Sequence, residues 1–357
     1  MEAFMIYPSV KIDLEKLRSN TNCIVNLCKE KDIEVMGITK GICAFLPAVR
    51  AIIGGGAKKL GDSRIKNIKM MRKEGIGLPI YLIRCPMLSE IKEVVDLADG
   101  SLNSELEVIK ALSYEALAEG KKHKVILMVD VGDLREGVMP EDALDITEEI
   151  LKLPAIEFEG IGTNTGCFGG VKPTYRNTKI LADLANCIEK KYSIELKTIS
   201  GGNSDTLNLL KESELPPRVN QLRIGEAILL GTRVNKFPEL QLYRDSFVLE
   251  AEIIEVKMKP SRPIGEIACD AFGKVPVFED KGLMRRAIAA IGRQDCIIEG
   301  LSPLNDSMEI IGASSDHLIL DVTKSKDINV GSKVRFRLSY SALITLMNSN
   351  YVTKNYS

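Results

Sequence analysis

The sequence predicts an α/β fold: a (β/α)8, TIM-like barrel followed by a C-terminal all-β domain. Three observations carry that prediction. Apolar runs alternate with amphipathic stretches through the first two-thirds of the chain, which is the signature of a parallel sheet. Beyond about residue 238 long helical patterns give way to short apolar pieces divided by turn residues. No GxGxxG turn follows the first barrel strand, which weakens the competing open, doubly wound sheet.

The eight candidate barrel strands are 33–39, 59–62, 80–84, 100–102, 124–130, 157–163, 195–200 and 220–224. A parallel strand covered on both faces needs apolar side chains on both, so these runs are nearly continuous. Between them the stretches 13–31, 65–74, 104–119, 141–153 and 174–191 carry apolar residues at helical spacing. Later pieces at 246–258, 286–291, 307–311, 317–322 and 333–340 read as strands of a small β-barrel or sandwich. Turn sequences such as Lys259-Pro260-Ser261-Arg262-Pro263 and Ser302-Pro303-Leu304-Asn305-Asp306 separate them. The expected domains are therefore 1–237 and 238–357.

Composition narrows the function. Hydrophobic residues make up 45% and charged residues 27%, with a formal net charge of −1, so the chain has ample core and no basic stripe for nucleic acid. Uncharged stretches are broken by glycine, and the N-terminus lacks a signal-peptide pattern, so neither a membrane span nor export is expected. Eight cysteines lie scattered with no CxxC spacing, which fits reduced thiols and a cytoplasmic location. Two histidines, His123 and His317, give little support to a histidine metal site.

Polar residues cluster where the barrel strands end. Lys40 closes the first strand in Gly37-Ile38-Thr39-Lys40-Gly41. Partial burial there would lower its pKa, and a neutral amine can form a Schiff base with an aldehyde. Asp130-Val131-Gly132-Asp133-Leu134-Arg135-Glu136-Gly137 follows the fifth strand and Gly162-Thr163-Asn164-Thr165-Gly166 the sixth. Ser200-Gly201-Gly202-Asn203-Ser204 follows the seventh, and Arg223-Ile224-Gly225-Glu226 closes the eighth, where barrels commonly bind phosphate. An amine, a phosphate cup and an arginine between them suit pyridoxal 5'-phosphate.

With these motifs the chain resembles the alanine racemase family of fold-type III pyridoxal-phosphate enzymes, over nearly its whole length. Tyr7-Pro8-Ser9-Val10, Leu60-Gly61-Asp62-Ser63-Arg64, Ile291-Gly292-Arg293-Gln294-Asp295 and Gly312-Ala313-Ser314-Ser315-Asp316-His317 are similar to its ornithine racemase branch. The resemblance implies that Lys40 holds the cofactor, that Arg223 faces the pyridine nitrogen, and that Asn203, Ser204, Gly225 and Glu226 (through its backbone) surround the phosphate. It also implies a phosphate contact from Tyr340 and a substrate-carboxylate contact from Arg135. A homodimer is implied too, each β-domain completing the other subunit's site.

The chain departs from the family pattern at three points. Asn164 stands where alanine racemases carry a histidine beside the ring. Gly292-Arg293-Gln294-Asp295 replaces the motif that carries the tyrosine base, and arginine is a poor proton shuttle. The family's Met-Asp pair falls at Ser315-Asp316. Lys40 is thus the base for one face, with Asp316 and His317 as candidates for the other, and Cys269-Asp270 weaker ones. Arg293 and Asp270 are expected near the substrate. Glu266, Asp270 and Asp316 are candidate partners for a distal ammonium.

The expected activity is racemisation of ornithine, with lysine as second choice. The alternatives are an alanine or broad-specificity racemase, or a cofactor carrier without turnover. Each residue also has a plainer reading: Lys40 as a solvated strand end, Arg135 and Arg223 as structural ion pairs, Tyr340 as a core tyrosine. His123, in Lys121-Lys122-His123-Lys124, reads as a solvated helix-to-strand junction, and the basic runs 69–73 and 121–124 as exposed faces.

Overall fold

A computed structural model describes residues 6–357. The chain divides into two compact units: Glu15–Tyr243, and the N-terminal segment through Leu14 together with Arg244–Ser357. The first strand in chain order, β1 (Ser9–Ile12), thus belongs with the C-terminal unit.

The larger unit is a closed barrel of eight parallel strands. After α1 (Leu14–Lys29) come β2 (Glu34–Ile38), α2 (Leu46–Gly54), β3 (Lys59–Asp62), α3 (Ile65–Lys73), β4 (Ile80–Leu82), α4 (Ile91–Leu97) and β5 (Gly100–Asn103). Then follow α5 (Leu106–Ala118), β6 (His123–Met128), α6 (Ala143–Leu151), β7 (Ile156–Gly162), α7 (Tyr175–Tyr192), β8 (Thr198–Ser200), β9 (Gln221–Ile224) and the short α8 (Glu226–Leu230). The barrel closes where β9 pairs with β2, Met36 opposite Arg223 and Gly37 opposite Ile224. Met36, Ile38, Tyr81, Leu102, Ile126 and Met128 fill its interior. Fully burying side chains of this size stabilises the fold by about 1.5–3 kcal/mol each. Outside, α7 packs Leu181, Leu184, Ala185 and Ile188 inward, and Thr174 caps its start by accepting from Asn177 N (3.3 Å).

The barrel floor, at the strand N-termini, carries a buried polar network. Glu159 accepts from Tyr81 Oη (2.6 Å) and Thr198 Oγ1 (3.1 Å) and pairs with Lys59 (3.4 Å). Lys59 also pairs with Glu34 (3.1 Å). Burial, then the bond to Glu159, pushes the Tyr81 phenol well above its ordinary range. Each buried charge here has a partner, as burial demands.

The second unit is an antiparallel sheet built from β10 (Phe247–Pro260), β11 (Leu283–Ala289), β12 (Leu301–Pro303), β13 (Glu309–Ala313), β14 (Leu318–Asp321) and β15 (Lys333–Leu338). Their order is β12-β15-β10-β11-β14-β13. Helix α9 (Tyr340–Asn348) and strand β16 (Thr353–Tyr356) complete it, with β1 antiparallel to β10 and parallel to β16. Along β15, Val334, Phe336 and Leu338 are buried and alternate with exposed residues, as a half-buried strand requires.

Several expectations are corrected. His123 is buried, 2% exposed, at the start of β6, with Nε2 2.8 Å from Ser101 Oγ; it is not a solvated junction. Its parity in the strand matches buried Val125 and Leu127, which outweighs the lysines on either side. Arg72, in the basic run 69–73, is half-buried and donates to the carbonyls of Leu97, Ile76 and Leu78, so it ties α3 to the following loops. The segment 333–340 ends as a strand at Leu338, because Ser339 caps a helix by accepting from Ala342 N (3.4 Å). The units divide after Leu14 and after Tyr243, where composition places one boundary at 237/238; β1 pairs far along the chain, and composition carries no trace of that.

Candidate active site

The strand C-termini of the barrel gather the sequence-selected residues of that unit. Lys40 follows β2 directly and opens a single 3-10 turn, Lys40–Ile42. Its neighbour Thr39 fixes the turn, donating through N to Gly61 O (2.9 Å) and through Oγ1 to Asp62 Oδ2 (2.7 Å). Asp62 is fully buried and also accepts from Arg64 N and Asn67 Nδ2, both at 3.0 Å. Burial raises its pKa, and the Thr39 bond opposes that rise. Lys40 is open to water, yet protein crowds its ammonium on most sides. This desolvation lowers its pKa, and the nearby Arg135 guanidinium adds to the effect.

Arg223, on β9, is 6% exposed. It donates to Ser200 Oγ (2.5 Å), Thr163 O (2.6 Å) and Asn164 Oδ1 (3.5 Å). None of these partners is a carboxylate, and burial brings its pKa down to about 10. Asn164 also accepts from Asn203 Nδ2 (3.2 Å), so the residue that departs from the family histidine links two site arginine and asparagine side chains.

The loops after β8 and β9 are laced together by Arg223 N to Gly202 O (2.9 Å) and Ala227 N to Ser204 Oγ (3.2 Å). Gly202 has φ +127°, and a Cβ there would come within 2.5 Å of Thr206 Oγ1, so this turn requires glycine at position 202. The Glu226 carboxylate turns to Thr232 (3.1 Å) and Arg233 (3.0 Å), which leaves its backbone beside Gly225 as the part facing the cradle. Arg135 lies in the loop after β6, where it pairs with Glu136 and donates to Cys167 Sγ (2.7 Å).

The remaining candidates lie in the β unit. Arg293 N donates to Ser314 O and Gln294 N to Ser315 O, both 2.9 Å, which brings the 292–295 and 314–317 motifs side by side. Asp316 Oδ1 is 2.7 Å from His317 Nδ1, and that contact holds the Asp316 carboxyl below its usual range. Arg293 pairs with Glu299 (2.8 Å) and stacks over Phe272 at 5.5 Å. Asp270 accepts from Phe272 N and Lys274 N, both 2.9 Å, and so shapes its own turn. Tyr340 is the first residue of α9.

Two strand-end carboxylates quoted from the sequence without a role prove to buttress the site. Asp130 accepts three backbone amides of its own loop, and Asp133 accepts from Phe168 N (3.0 Å) and Val171 N (3.1 Å) of the next. The signal was present, because aspartates bracketing a glycine commonly organise turns.

The donor set suits pyridoxal 5'-phosphate. A lysine of lowered pKa can meet an aldehyde, a glycine turn beside Asn203 and Ser204 can meet a phosphate, and a buried guanidinium without a carboxylate can donate to a pyridine nitrogen.

Comparison with known proteins agrees. The family model described as alanine racemase, N-terminal domain, matches residues 12–233. An ornithine racemase of Acetoanaerobium sticklandii is 43% identical over 98% of this chain and 99% of its own. A lysine racemase of Thermotoga maritima is 40% identical, covering 99% of each chain. Among solved structures, an alanine racemase from Streptomyces lavendulae superposes with a TM-score of 0.76 at 17% identity, over 99% of this chain and 98% of its own. A D-threonine aldolase from Filomicrobium marinum reaches 0.75 at 14% identity, over 96% and 89%, so the fold alone spans more than one chemistry. On its family model and its full-length relatives, the chain belongs to the alanine racemase family and is a pyridoxal 5'-phosphate-dependent amino-acid racemase.

Proposed function

We propose that the protein interconverts L- and D-ornithine, with lysine as second substrate, by removing the Cα proton on one face and returning a proton on the other. Full-length relatives that carry those two substrate names support the reading, alongside an amine of lowered pKa at the barrel mouth. When bound, the cofactor supplies an electron-withdrawing ring that acidifies the substrate Cα–H.

In this reading Lys40 holds the cofactor, and its amine, once free, exchanges the proton on one face. Arg135 presents a planar fork to the substrate carboxylate. Arg223 has only donors, so it would keep a pyridine nitrogen set against it unprotonated, which would weaken the ring's electron withdrawal and disfavour side reactions. Asn203, Ser204, Gly225, Glu226 and Tyr340 hold the phosphate. His317, oriented by Asp316, serves the opposite face, with Arg293 and Asp270 near the substrate. Because these last residues belong to the β unit, we infer a homodimer in which they act on the second copy's site. A cytoplasmic location is part of the same proposal; among the described residues no helix is long and apolar enough to cross a membrane.

The test is incubation with single L-amino acids in heavy water, followed by chiral chromatography and mass analysis. Ornithine should appear as both enantiomers with deuterium at Cα, and kcat/KM should fall in the order ornithine, lysine, then norvaline and alanine. Alanine or norvaline matching ornithine would overturn the substrate assignment.

A further inference from the structure

Arg135 and Glu136 stand at the tip of a built loop. Val129 and Val138 bridge at its base, and Val138 N donates to Met128 O (2.8 Å). Inside it the Asp130 carboxylate accepts from Gly132 N (2.7 Å), Leu134 N (3.2 Å) and Arg135 N (3.1 Å). Leu134 sits in the left-handed region at φ 52°, although it is 69% exposed and packs little. Gly137 has φ +135°, and a Cβ there would lie 2.5 Å from Asp130 N, so the turn admits no side chain. On this frame guanidinium and carboxylate meet in two parallel bonds, Nε to Oε2 and Nη2 to Oε1, each side chain about one-third exposed.

A pair formed by adjacent residues at a substrate site neutralises itself when no substrate is present. We propose that Glu136 selects for a basic side chain: the substrate's α-carboxylate takes the Arg135 fork, and the Glu136 carboxylate so released receives the distal ammonium. This rests on the ornithine reading above. The exchange replaces one ion pair by two, so no charge is stranded. A substrate with a neutral side chain would take Arg135 and leave Glu136 without a cation in a half-buried recess, and that difference discriminates against it.

Two observations favour Glu136 over other carboxylates. It stands in the loop after β6, at the strand C-termini where Lys40 follows β2 and Arg223 lies on β9, and it is bonded to Arg135, whose Nη1 reaches Cys167 Sγ in the neighbouring loop (2.7 Å). Several other carboxylates after the barrel strands are committed elsewhere: Asp130 and Asp133 to backbone amides, Asp62 to Thr39 and Asn67, Glu90 to Arg84, and Glu226 to Thr232 and Arg233.

The experiment compares the wild-type holoenzyme with Glu136→Gln and Glu136→Asp on ornithine, lysine and norvaline. Glu136→Gln should lower the ratio of kcat/KM for ornithine over norvaline at least tenfold, chiefly through KM for ornithine. Glu136→Asp withdraws the carboxylate by one methylene, so the longer lysine should gain on ornithine by threefold or more. A ratio changed less than threefold in Glu136→Gln, or no gain for lysine in Glu136→Asp if the first variant fails to fold, overturns the proposal. Failure of the wild type to racemise ornithine would instead overturn the reading beneath it.

Discussion

The two ends of the barrel use the same strands for opposite purposes. At the floor, Lys59 pairs with both Glu159 and Glu34, and neutral donors from Tyr81 and Thr198 complete the set around Glu159. At the mouth stand three cations, Lys40, Arg135 and Arg223; Glu136 pairs with Arg135, while the buried Arg223 donates only to neutral oxygens. A cluster in which buried charges pair with one another locks strands together, whereas a buried cation left without a carboxylate holds binding capacity for a ligand. The difference teaches where to look for chemistry: a buried cation whose hydrogen bonds go only to neutral acceptors marks the working end.

Breaking the mouth should cost activity and leave the fold intact. Lys40→Ala should lower racemisation by at least about a thousandfold, because both cofactor attachment and proton transfer go with the amine. Circular dichroism and thermal unfolding of the apoprotein should remain those of the wild type; unchanged racemisation would sink the assignment of Lys40.

Breaking the floor should do the reverse. Glu159→Ala takes the acceptor from buried Tyr81 and Thr198 and weakens the pairing of Lys59, at a cost of about 3–5 kcal/mol in unfolding free energy. The rate per folded molecule should stay within about twofold. If kcat collapses while stability holds, the division between the two ends is wrong.

His123 sharpens the same contrast through pH. Burial lowers its pKa from 6.5 to about 4, so the folded state stays neutral while the unfolded chain takes up a proton. In that window the unfolded state binds more protons, and stability falls as pH drops from 6.5 towards 4, by about 3 kcal/mol in total. Denaturant titrations across this range should show the loss for the wild type and a smaller one for His123→Gln.

How much of this was legible in the sequence depended on the range of the causes. The eight barrel strands show as near-continuous apolar runs, because both faces of each are buried locally, and their ends agree with the chain to within a few residues. Strands β1 and β16 did not show, since they are made by pairing between distant segments. Helix α2 is absent from the helical stretches read from the sequence; it spans nine residues, and its proline sits harmlessly in the first turn. Lys40 and Arg223 stood out as polar residues ending apolar runs. Asp62, Asp130 and Asp133 did not, because their work is to hold backbone amides and side chains whose positions only the fold defines.

Asp133 also has a mechanical consequence. Through its carboxylate the loop that carries Arg135 grips the amides of the loop that carries Cys167, so the two form one clasp. A clasp of this kind opens as a unit or stays shut, and hydrogen exchange at Phe168 and Val171 should follow that of the Asp130 turn. With that backbone clasped, the proposed fit of Arg135 to a substrate carboxylate falls to rotation of the Arg135 and Glu136 side chains, on the nanosecond scale of rotamer changes.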